Sequence, residues 1–201
     1  MSGFPSGFER GAASDRRSPF PRTLTILWCV LFSVLSLSAE QPKPSEYQVE
    51  AVYLLNFAKF VEWPAQVVSP EEPFNICVLG QYPFGATLDK TVAGETIDGR
   101  KVVVRRFLKP QEVMSCRILF IGLSEEARLA EILKILDKTS ILTVSNVPKF
   151  SQHGGMIEFV VEANKIRFEV NLTSAERAGL TLSSELLKVA TAVTRNAQPG
   201  D

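Results

Sequence analysis

The sequence predicts an α/β fold: a single domain whose mixed sheet has a parallel βαβ core plus antiparallel hairpins, flanked by helices. Short apolar runs bounded by glycine, proline or polar residues indicate buried strands. A segment with apolar residues at helical spacing separates two of these runs, which is the order of a parallel crossover. Two pairs of strand-like segments joined by tight turns indicate hairpins. The three apolar runs are Phe74–Leu79, Cys116–Gly122 and Ile141–Val144.

The first 39 residues have the pattern of a secretory signal peptide. Four arginines between residues 10 and 22 precede an apolar run from Leu24 to Leu37, and the small residues Ser38 and Ala39 follow. The run is too short for a spanning helix, which needs about 20 apolar residues. We therefore expect export and cleavage near Ala39, with an uncleaved anchor as the alternative.

A spacer at 40–45 precedes the predicted domain, which covers 46–195, and residues 196–201 are predicted to be a flexible tail. Ser45 and Gln48 have the spacing of a capping box, so a helix is expected to begin there and to be stopped by Trp63 and Pro64. This helix is apolar around most of its circumference. It is either sandwiched in the core or presents aromatic residues to a partner protein. The candidate contacts are Phe57, Phe60 and Trp63.

A glycine turn follows the first apolar run. Gly80 and Gly85 lie between that strand and a helix expected at about 86–92, an order that can place a phosphate at a helix N-terminus. The segment has neither the lysine and hydroxyl of a nucleotide P-loop nor the three-glycine dinucleotide pattern. Gly80 and Gly85 are therefore weak candidates for ligand binding, and a plain turn is the alternative.

The two hairpins are expected on either side of the parallel core. Asp98-Gly99 is typical of a two-residue turn and joins a short strand at 95–97 to one at 101–107. Basic residues cluster there, and a solvated sheet edge or, less favoured, an anion site would explain them. The second hairpin pairs 156–161 with 166–170. The basic residues are Arg100, Lys101, Arg105 and Arg106.

Three further helices are indicated by local capping patterns. Ser124 is expected to cap the crossover helix, and Thr173 with Glu176 forms a second capping box, with Gly179 as the helix-ending glycine. A last helix is expected after Ser183, with Val193 among its inward residues.

The composition leaves few routes to catalysis. The chain has 22 basic and 22 acidic residues, a balance without general attraction for nucleic acid. His153 is the single histidine, and no nucleophile motif accompanies it. Glutamates at 158, 162 and 169 fall on hairpin strands, where a solvated face is the favoured interpretation over glycosidase chemistry. We expect no enzyme activity, no metal site and no cofactor.

The cysteines suggest one disulfide. Cys29 lies within the signal peptide, so Cys77 and Cys116 remain, 39 residues apart. An even number of cysteines in an exported chain favours a bond, which would contribute about 4 kcal/mol on the chain-entropy model. Two unpaired buried thiols are the alternative.

At the level of whole segments, the chain resembles the YfiR-like periplasmic proteins. The resemblance covers about residues 46 to 193 and rests on the combination of segments in one order, not on any single motif. The segments are YLLNFAKFVEWP (Tyr53–Pro64), ICVLGQYPFG (Ile76–Gly85), CRILFIG (Cys116–Gly122), LTVSNVPKFSQHGGMIEFV (Leu142–Val160) and KIRFEVNLTSAERAGLTLSSELLKVA (Lys165–Ala190).

The resemblance implies a soluble periplasmic protein, often dimeric, that represses a membrane-anchored diguanylate cyclase by binding its periplasmic sensor domain. An outer-membrane, peptidoglycan-associated lipoprotein can sequester such a repressor. Cys77 and Cys116 correspond to the family's structural cysteine pair. Ser151 and Glu158 stand where some members carry a second pair, so redox sensing through that bond is in doubt. The alternatives are a small-molecule-binding accessory of a sensor kinase or receptor, and an envelope enzyme.

Overall fold

The structure of the protein is a computed structural model that describes residues 45–65 and 72–195. The predicted signal peptide, residues 40–44 of the predicted spacer and the predicted tail lie outside the described residues. Within the described ranges, no helix has both the length and the apolarity that crossing a bilayer requires.

The described elements alternate between helix and strand along most of the chain. The α-helices are α1 (Glu46–Phe60), α2 (Thr87–Val92), α3 (Leu129–Ile135), α4 (Leu172–Arg177) and α5 (Ser184–Val189). The strands are β1 (Val61–Glu62), β2 (Phe74–Leu79), β3 (Thr96–Ile97), β4 (Arg100–Phe107), β5 (Ile118–Ile121), β6 (Leu142–Ser145), β7 (Ile157–Glu162), β8 (Lys165–Asn171), β9 (Thr181–Leu182) and β10 (Ala192–Thr194). Two 3-10 helices cover Pro110–Ser115 and Leu123–Arg128.

Eight of the described strands form one mixed sheet in the order β10-β8-β7-β6-β5-β2-β4-β3. The central pairs from β7 to β4 are all parallel, whereas β7 with β8 and β3 with β4 are antiparallel hairpins. This arrangement confirms the predicted fold class: a parallel core with antiparallel hairpins at both sides. The hairpin turns use positive φ angles at Asp98 and Gly99, and at Ala163 and Asn164.

The sheet separates two apolar clusters because successive side chains of a strand point to opposite faces. One cluster contains α1 together with Phe74, Ile76 and Val78 of β2. The other contains Cys77 and Leu79 of the same strand and the apolar side of α3. Burial on both faces explains why β2 is apolar at nearly every position.

Cys77 and Cys116 form the predicted disulfide. Their Cα atoms are 5.8 Å apart, and both residues are fully buried in the second cluster. The amide of Asn75, two residues before Cys77, donates a hydrogen bond to the carbonyl oxygen of Ser115 at 2.9 Å. The disulfide therefore joins β2 to the segment that leads into β5.

The start of α1 is as predicted, but its end is not. The Ser45 hydroxyl accepts from the Gln48 backbone and the Gln48 side chain accepts from the Ser45 backbone, which is a complete capping box. The helix ends at Phe60, before Trp63 and Pro64. It ends there because Val61 and Glu62 leave helical geometry to pair with β9.

Two predicted helix caps are wrong. The crossover begins as the 3-10 helix Leu123–Arg128, and the Ser124 hydroxyl accepts from the backbone N–H of Gln81 instead of capping its own helix. The cap of α4 is Asn171, whose side chain accepts from Ser174 N at 3.0 Å, so Thr173 lies inside the helix. Both capping patterns were plausible locally, and tertiary contacts selected other residues.

The C-terminal prediction is correct at its start and wrong at its end. Ser183 caps α5 as expected, accepting from Leu186 N at 3.2 Å. The helix stops at Val189, and Ala192–Thr194 form β10, parallel to β8. Val193 is therefore on an edge strand with 42% of its surface exposed, not turned inward on a helix.

Candidate functional site

The solvent-exposed side of α1 is the candidate contact surface, and Phe57 is not part of it. Phe57 is fully buried, with its ring centroid 5.1 Å from that of Phe168 and 5.9 Å from that of Phe159. It packs α1 onto the β7–β8 hairpin. Since no surface of Phe57 reaches solvent, its predicted role as a partner contact does not fit the structure, and its role is in the core.

Phe60 does lie at the surface, at the last turn of α1. Phe60 is 40% exposed, and Val52, two helical turns earlier, is 50% exposed. Positions eight apart differ by about 80° around the helix axis, so the two side chains lie on the same half of α1. Two apolar side chains therefore line the solvent side of α1, and we call Val52 and Phe60 the outer stripe.

Trp63 lies just beyond the helix and is partly buried. Its ring meets the edge of Phe74 at the start of β2, with centroids 5.2 Å apart and planes at 85°. Part of its ring packs against the core cluster of α1, which leaves only part of it for a partner.

A two-stranded ribbon holds the end of α1 in place. In it, β1 pairs with β9 through Val61 opposite Leu182, and the backbone N–H of Ser183 donates to the carbonyl oxygen of Phe60 at 2.9 Å. Two-residue strands carry almost no periodic signal, so the ribbon was missed in the sequence. The ribbon sets the position of Phe60 and Trp63 relative to the sheet.

The predicted glycine turn lies at the topological switch point of the sheet. The chain goes from β2 to β4 on one side and then to β5 on the other, and ligands of α/β proteins often bind where such neighbours diverge. Here the protein's own side chains occupy the turn. A Cβ on Gly80 would lie 2.5 Å from the Ser124 hydroxyl and 2.5 Å from Glu125 Oε1. Gly80 is therefore required by close packing.

Gly85 also lacks the surroundings of an anion cradle. It precedes α2, a helix of six residues whose first turn carries the acidic Asp89. The Tyr82 hydroxyl donates to Asp89 Oδ2 at 3.0 Å, and the Arg106 guanidinium lies 4.1 Å from the Tyr82 ring centroid. Burial and the neighbouring Asp89 raise the pKa of Tyr82 to about 12. Because Arg106 is paired with Asp89, it is not free to bind a phosphate at this helix.

A buried carboxylate anchors the loop that precedes β7. Glu158 accepts from Lys149 N at 2.7 Å, from Ser151 N at 3.0 Å and from the Ser151 hydroxyl at 2.8 Å. Asn171 donates from its side chain to the Ser151 carbonyl oxygen at 2.8 Å. Ser151 and Glu158 are therefore linked by hydrogen bonds. Sequence reasoning treated Glu158 as a solvated residue and missed this anchor.

A second buried carboxylate, on α1, has fewer partners. Glu50 is 2% exposed and accepts one hydrogen bond, from the Asn146 amide at 3.3 Å. Its Oε2 and the Asn146 Oδ1 are buried without partners among the described residues. Desolvation by burial raises the pKa of Glu50 to about 7. The sequence contains no local signal of this contact, because 96 residues separate the two side chains.

The remaining candidates for chemistry are not assembled into a site. His153 is exposed in the loop before β7. Glu158 and Glu169 are opposite each other on β7 and β8, but Glu158 is engaged in the loop anchor. Among the residues that the structure describes, no three His, Cys, Asp or Glu side chains lie together as a metal site would need.

The fold and its disulfide define a class of protein. It is a mixed α/β domain in which a buried disulfide joins β2 to the segment before β5, and such bonds are typical of proteins from oxidising compartments. The family model for YfiR/HmsC-like proteins matches residues 47–191, so the chain belongs to the YfiR/HmsC-like family. Membership of this family places the protein among periplasmic regulatory proteins.

Solved structures show a similar fold at low sequence identity. A conserved domain protein from Vibrio cholerae O1 biovar El Tor superposes with a TM-score of 0.50 and 14% identity over 75% of this chain and 60% of that one. An ABC domain from Streptococcus pneumoniae in complex with L-Trp has a TM-score of 0.44 and 13% identity over 74% and 60%. The chain thus spans about 60% of the length of both, and only the first carries a fold argument.

Proposed function

We propose that the protein represses a membrane-anchored diguanylate cyclase by binding its periplasmic sensor domain, and that this lowers cyclic di-GMP. Membership of the YfiR/HmsC-like family supports the class of partner. The exposed apolar stripe on α1 supports the place of contact.

The observation that carries the contact is the exposure of Phe60 at the end of a helix whose other aromatic side chains pack in or against the core cluster. A 40% exposed phenylalanine beside Trp63 offers an aromatic anchor, and such residues dominate the energetics of protein interfaces. The β1–β9 ribbon holds this anchor in one position, which reduces the ordering cost of binding.

Repression of this kind needs no chemistry from the protein itself. A bound partner shifts a conformational equilibrium only by the difference in its affinity for the two states. The protein represses if it binds the inactive arrangement of the sensor domain more tightly than the active one. A tenfold difference corresponds to about 1.4 kcal/mol.

The test compares Phe60→Ala with Val161→Ala. Val161 is an apolar residue of β7 that is 60% exposed and lies outside the outer stripe. We expect wild type and Val161→Ala to capture the cyclase from membranes and to lower cyclic di-GMP. Phe60→Ala should stay folded by circular dichroism and lose at least about tenfold in affinity.

Two outcomes would overturn the proposal at different levels. Full repression by a folded Phe60→Ala protein would exclude Phe60 as the contact residue but would leave the cyclase as the proposed partner. An unchanged cyclic di-GMP level with and without the protein, and no captured cyclase, removes the function itself.

Two further partners belong to the same proposal: a second copy of the chain, and an outer-membrane, peptidoglycan-associated lipoprotein that relieves repression by sequestering the protein. Sedimentation of the purified protein measures whether it forms a dimer. Addition of the lipoprotein to the protein–cyclase complex measures the second, and the expected result is release of the cyclase.

A further inference from the structure

Two side chains near the end of α1 bury N–H groups that have no acceptor. Arg100, the first residue of β4, is 6% exposed, and its Nε and Nη1 have no hydrogen-bond partner among the described residues. The indole Nε1 of Trp63 is buried without a partner in the same way. A buried N–H without an acceptor costs free energy, and a buried charge without a counterion costs more.

The same phenylalanine ring supports both side chains. The Arg100 guanidinium carbon lies 5.4 Å from the centroid of the Phe74 ring, and the Trp63 ring centroid lies 5.2 Å from it. Both residues line one open cleft of about 620 Å³ between the end of α1, β1 and the β3–β4 turn. This volume is in the range of small-molecule sites.

The present partner of Arg100 is weak. Its Nη2 lies 3.5 Å from Asp98 Oδ2, which is at the limit of a hydrogen bond, and the Asp98 side chain is 82% exposed. Because the contact is long and the carboxylate is solvated, this pair compensates the buried guanidinium only in part. Among the described residues, the buried end of the cleft therefore has three unpartnered donor nitrogens, Arg100 Nε, Arg100 Nη1 and Trp63 Nε1, and the charge of one guanidinium.

We propose that this cleft binds a carboxylate group through the Arg100 guanidinium and the Trp63 indole N–H. A carboxylate accepts two parallel hydrogen bonds from one edge of a guanidinium. Each such edge of Arg100 pairs Nη2 with one of the two unpartnered nitrogens, and the exposed Asp98 can move away to admit the ligand. The proposal does not depend on the cyclase.

The other residues of the cleft favour a carboxylate over a phosphate. Glu62 and Asp98 also line it, and their charges repel a dianion more strongly than a monoanion. Lys59, at the rim, is engaged with Glu95 at 3.2 Å and does not add a free cation. A phosphate dianion would also present more oxygens than these donors match. The carboxylate belongs either to a free small molecule or to an acidic side chain of a protein.

Trp63 itself reports on binding. The chain has two tryptophans, and Trp28 lies within the predicted signal peptide, so the protein purified after cleavage of that peptide has Trp63 as its only tryptophan. Sodium acetate is titrated into this protein in a buffer without other carboxylates, with sodium chloride at matched ionic strength as the control. We expect a saturable change in fluorescence with half-saturation on the order of 1 mM, and no such change with chloride.

Substitutions at Arg100 separate the site from a general salt effect. Arg100→Lys keeps the charge but removes the guanidinium fork, and we expect at least tenfold weaker acetate binding. Lys101→Gln, which removes an exposed charge from the next position of β4, is the matched control and should bind as wild type does. Equal binding by a folded Arg100→Lys protein overturns the proposal.

If Arg100→Lys does not fold, Trp63→Phe provides the second test, measured by titration calorimetry because the fluorophore is gone. It keeps an aromatic ring against Phe74 and removes one N–H, so at least threefold weaker acetate binding is expected. Unaltered affinity, or a wild-type response to acetate that equals the response to chloride, also overturns the proposal.

Two further titrations distinguish a protein side chain from a free acid, and a carboxylate from a phosphate. A capped peptide with one glutamate and no terminal carboxylate represents a protein side chain. Binding at least tenfold tighter than that of acetate assigns the site to a protein, and the reverse assigns it to a free acid. Inorganic phosphate is the third probe, and a protein that binds phosphate but neither carboxylate contradicts the assignment.

Discussion

Two buried glutamates, Glu158 on β7 and Glu50 on α1, show how differently one side chain behaves at equal burial. Glu158 is 6% exposed and accepts three hydrogen bonds at 2.7–3.0 Å. Glu50 is 2% exposed, accepts one at 3.3 Å and has its pKa raised to about 7 by desolvation. The number of donors, and not the depth of burial, decides whether a carboxylate stabilises its surroundings or disfavours its own charge.

The largest effect is expected when Glu158 is replaced by alanine. Glu158→Ala leaves two backbone N–H groups and the Ser151 hydroxyl without their acceptor, each of which costs about 1–2 kcal/mol. We expect a loss of about 4 kcal/mol in the free energy of unfolding, measured by urea denaturation at pH 7. The Glu162→Ala variant, at an exposed position of the same strand, is the control and should change little. A loss below about 1 kcal/mol would falsify the anchor.

Replacing Glu50 by glutamine should stabilise the protein at alkaline pH. In the folded state Glu50 keeps its proton up to about pH 7, whereas in the unfolded chain it releases the proton near the ordinary glutamate pKa of 4.5. The unfolded state thus binds fewer protons between these values, so wild-type stability falls as pH rises through this window and is level above it.

At pH 8 the free energy of unfolding of Glu50→Gln should exceed that of wild type by up to about 3 kcal/mol, and at pH 4 the difference should be near zero. The glutamine also brings an N–H donor to the place where Asn146 Oδ1 lacks one. Urea denaturation of both proteins from pH 4 to pH 8 measures the difference. Parallel stability curves over that range would contradict the raised pKa.

A smaller effect is expected for Ser151→Ala. This change removes one of the three donors to Glu158 and leaves the two backbone donors in place. The expected loss is about 2 kcal/mol, because hydrogen bonds to charged groups contribute about 1.5–3 kcal/mol. Combined with Glu158→Ala, it should add almost nothing, since its partner is already gone. Additive losses in the double variant would argue against a direct bond.

The smallest effect is expected for Asn146→Ala. The Asn146 amide lowers the pKa of Glu50, so its removal should raise that pKa further and extend the pH-dependent loss of stability above pH 7. At pH 5, where Glu50 is protonated in the folded state, we expect a change of about 1 kcal/mol or less. A pH dependence identical to that of wild type would show that the long Asn146 bond has no influence on Glu50.

Sequence patterns were sufficient wherever the cause of structure is local. The apolar run of β2, the turn at Asp98 and Gly99, and the capping box at Ser45 were predicted because neighbouring residues determine them. The disulfide was predicted from the count of cysteines in an exported chain, and the structure confirms it.

Sequence patterns failed where a distant contact overrode a plausible local signal. Ser124 has the pattern of a cap, yet its hydroxyl is used by Gln81, 43 residues away. The apolar helix was expected to continue until Trp63 and Pro64 stop it, but Val61 and Glu62 leave the helix to pair with β9. Phe57 and Phe60 are both aromatic on one helix, and only the position of the β7–β8 hairpin makes one of them buried.

By itself, the sequence determined the α/β class, the order of the main strands, the cysteine pair and the family to which the chain belongs. Only the tertiary structure decided which aromatic residue faces solvent, which buried glutamate has donors, and that Trp63 and Arg100 share one cleft. The reason is physical: turns, caps and strand burial arise from residues close in sequence. Desolvation and hydrogen-bond partners arise from residues that meet only after the sheet has formed.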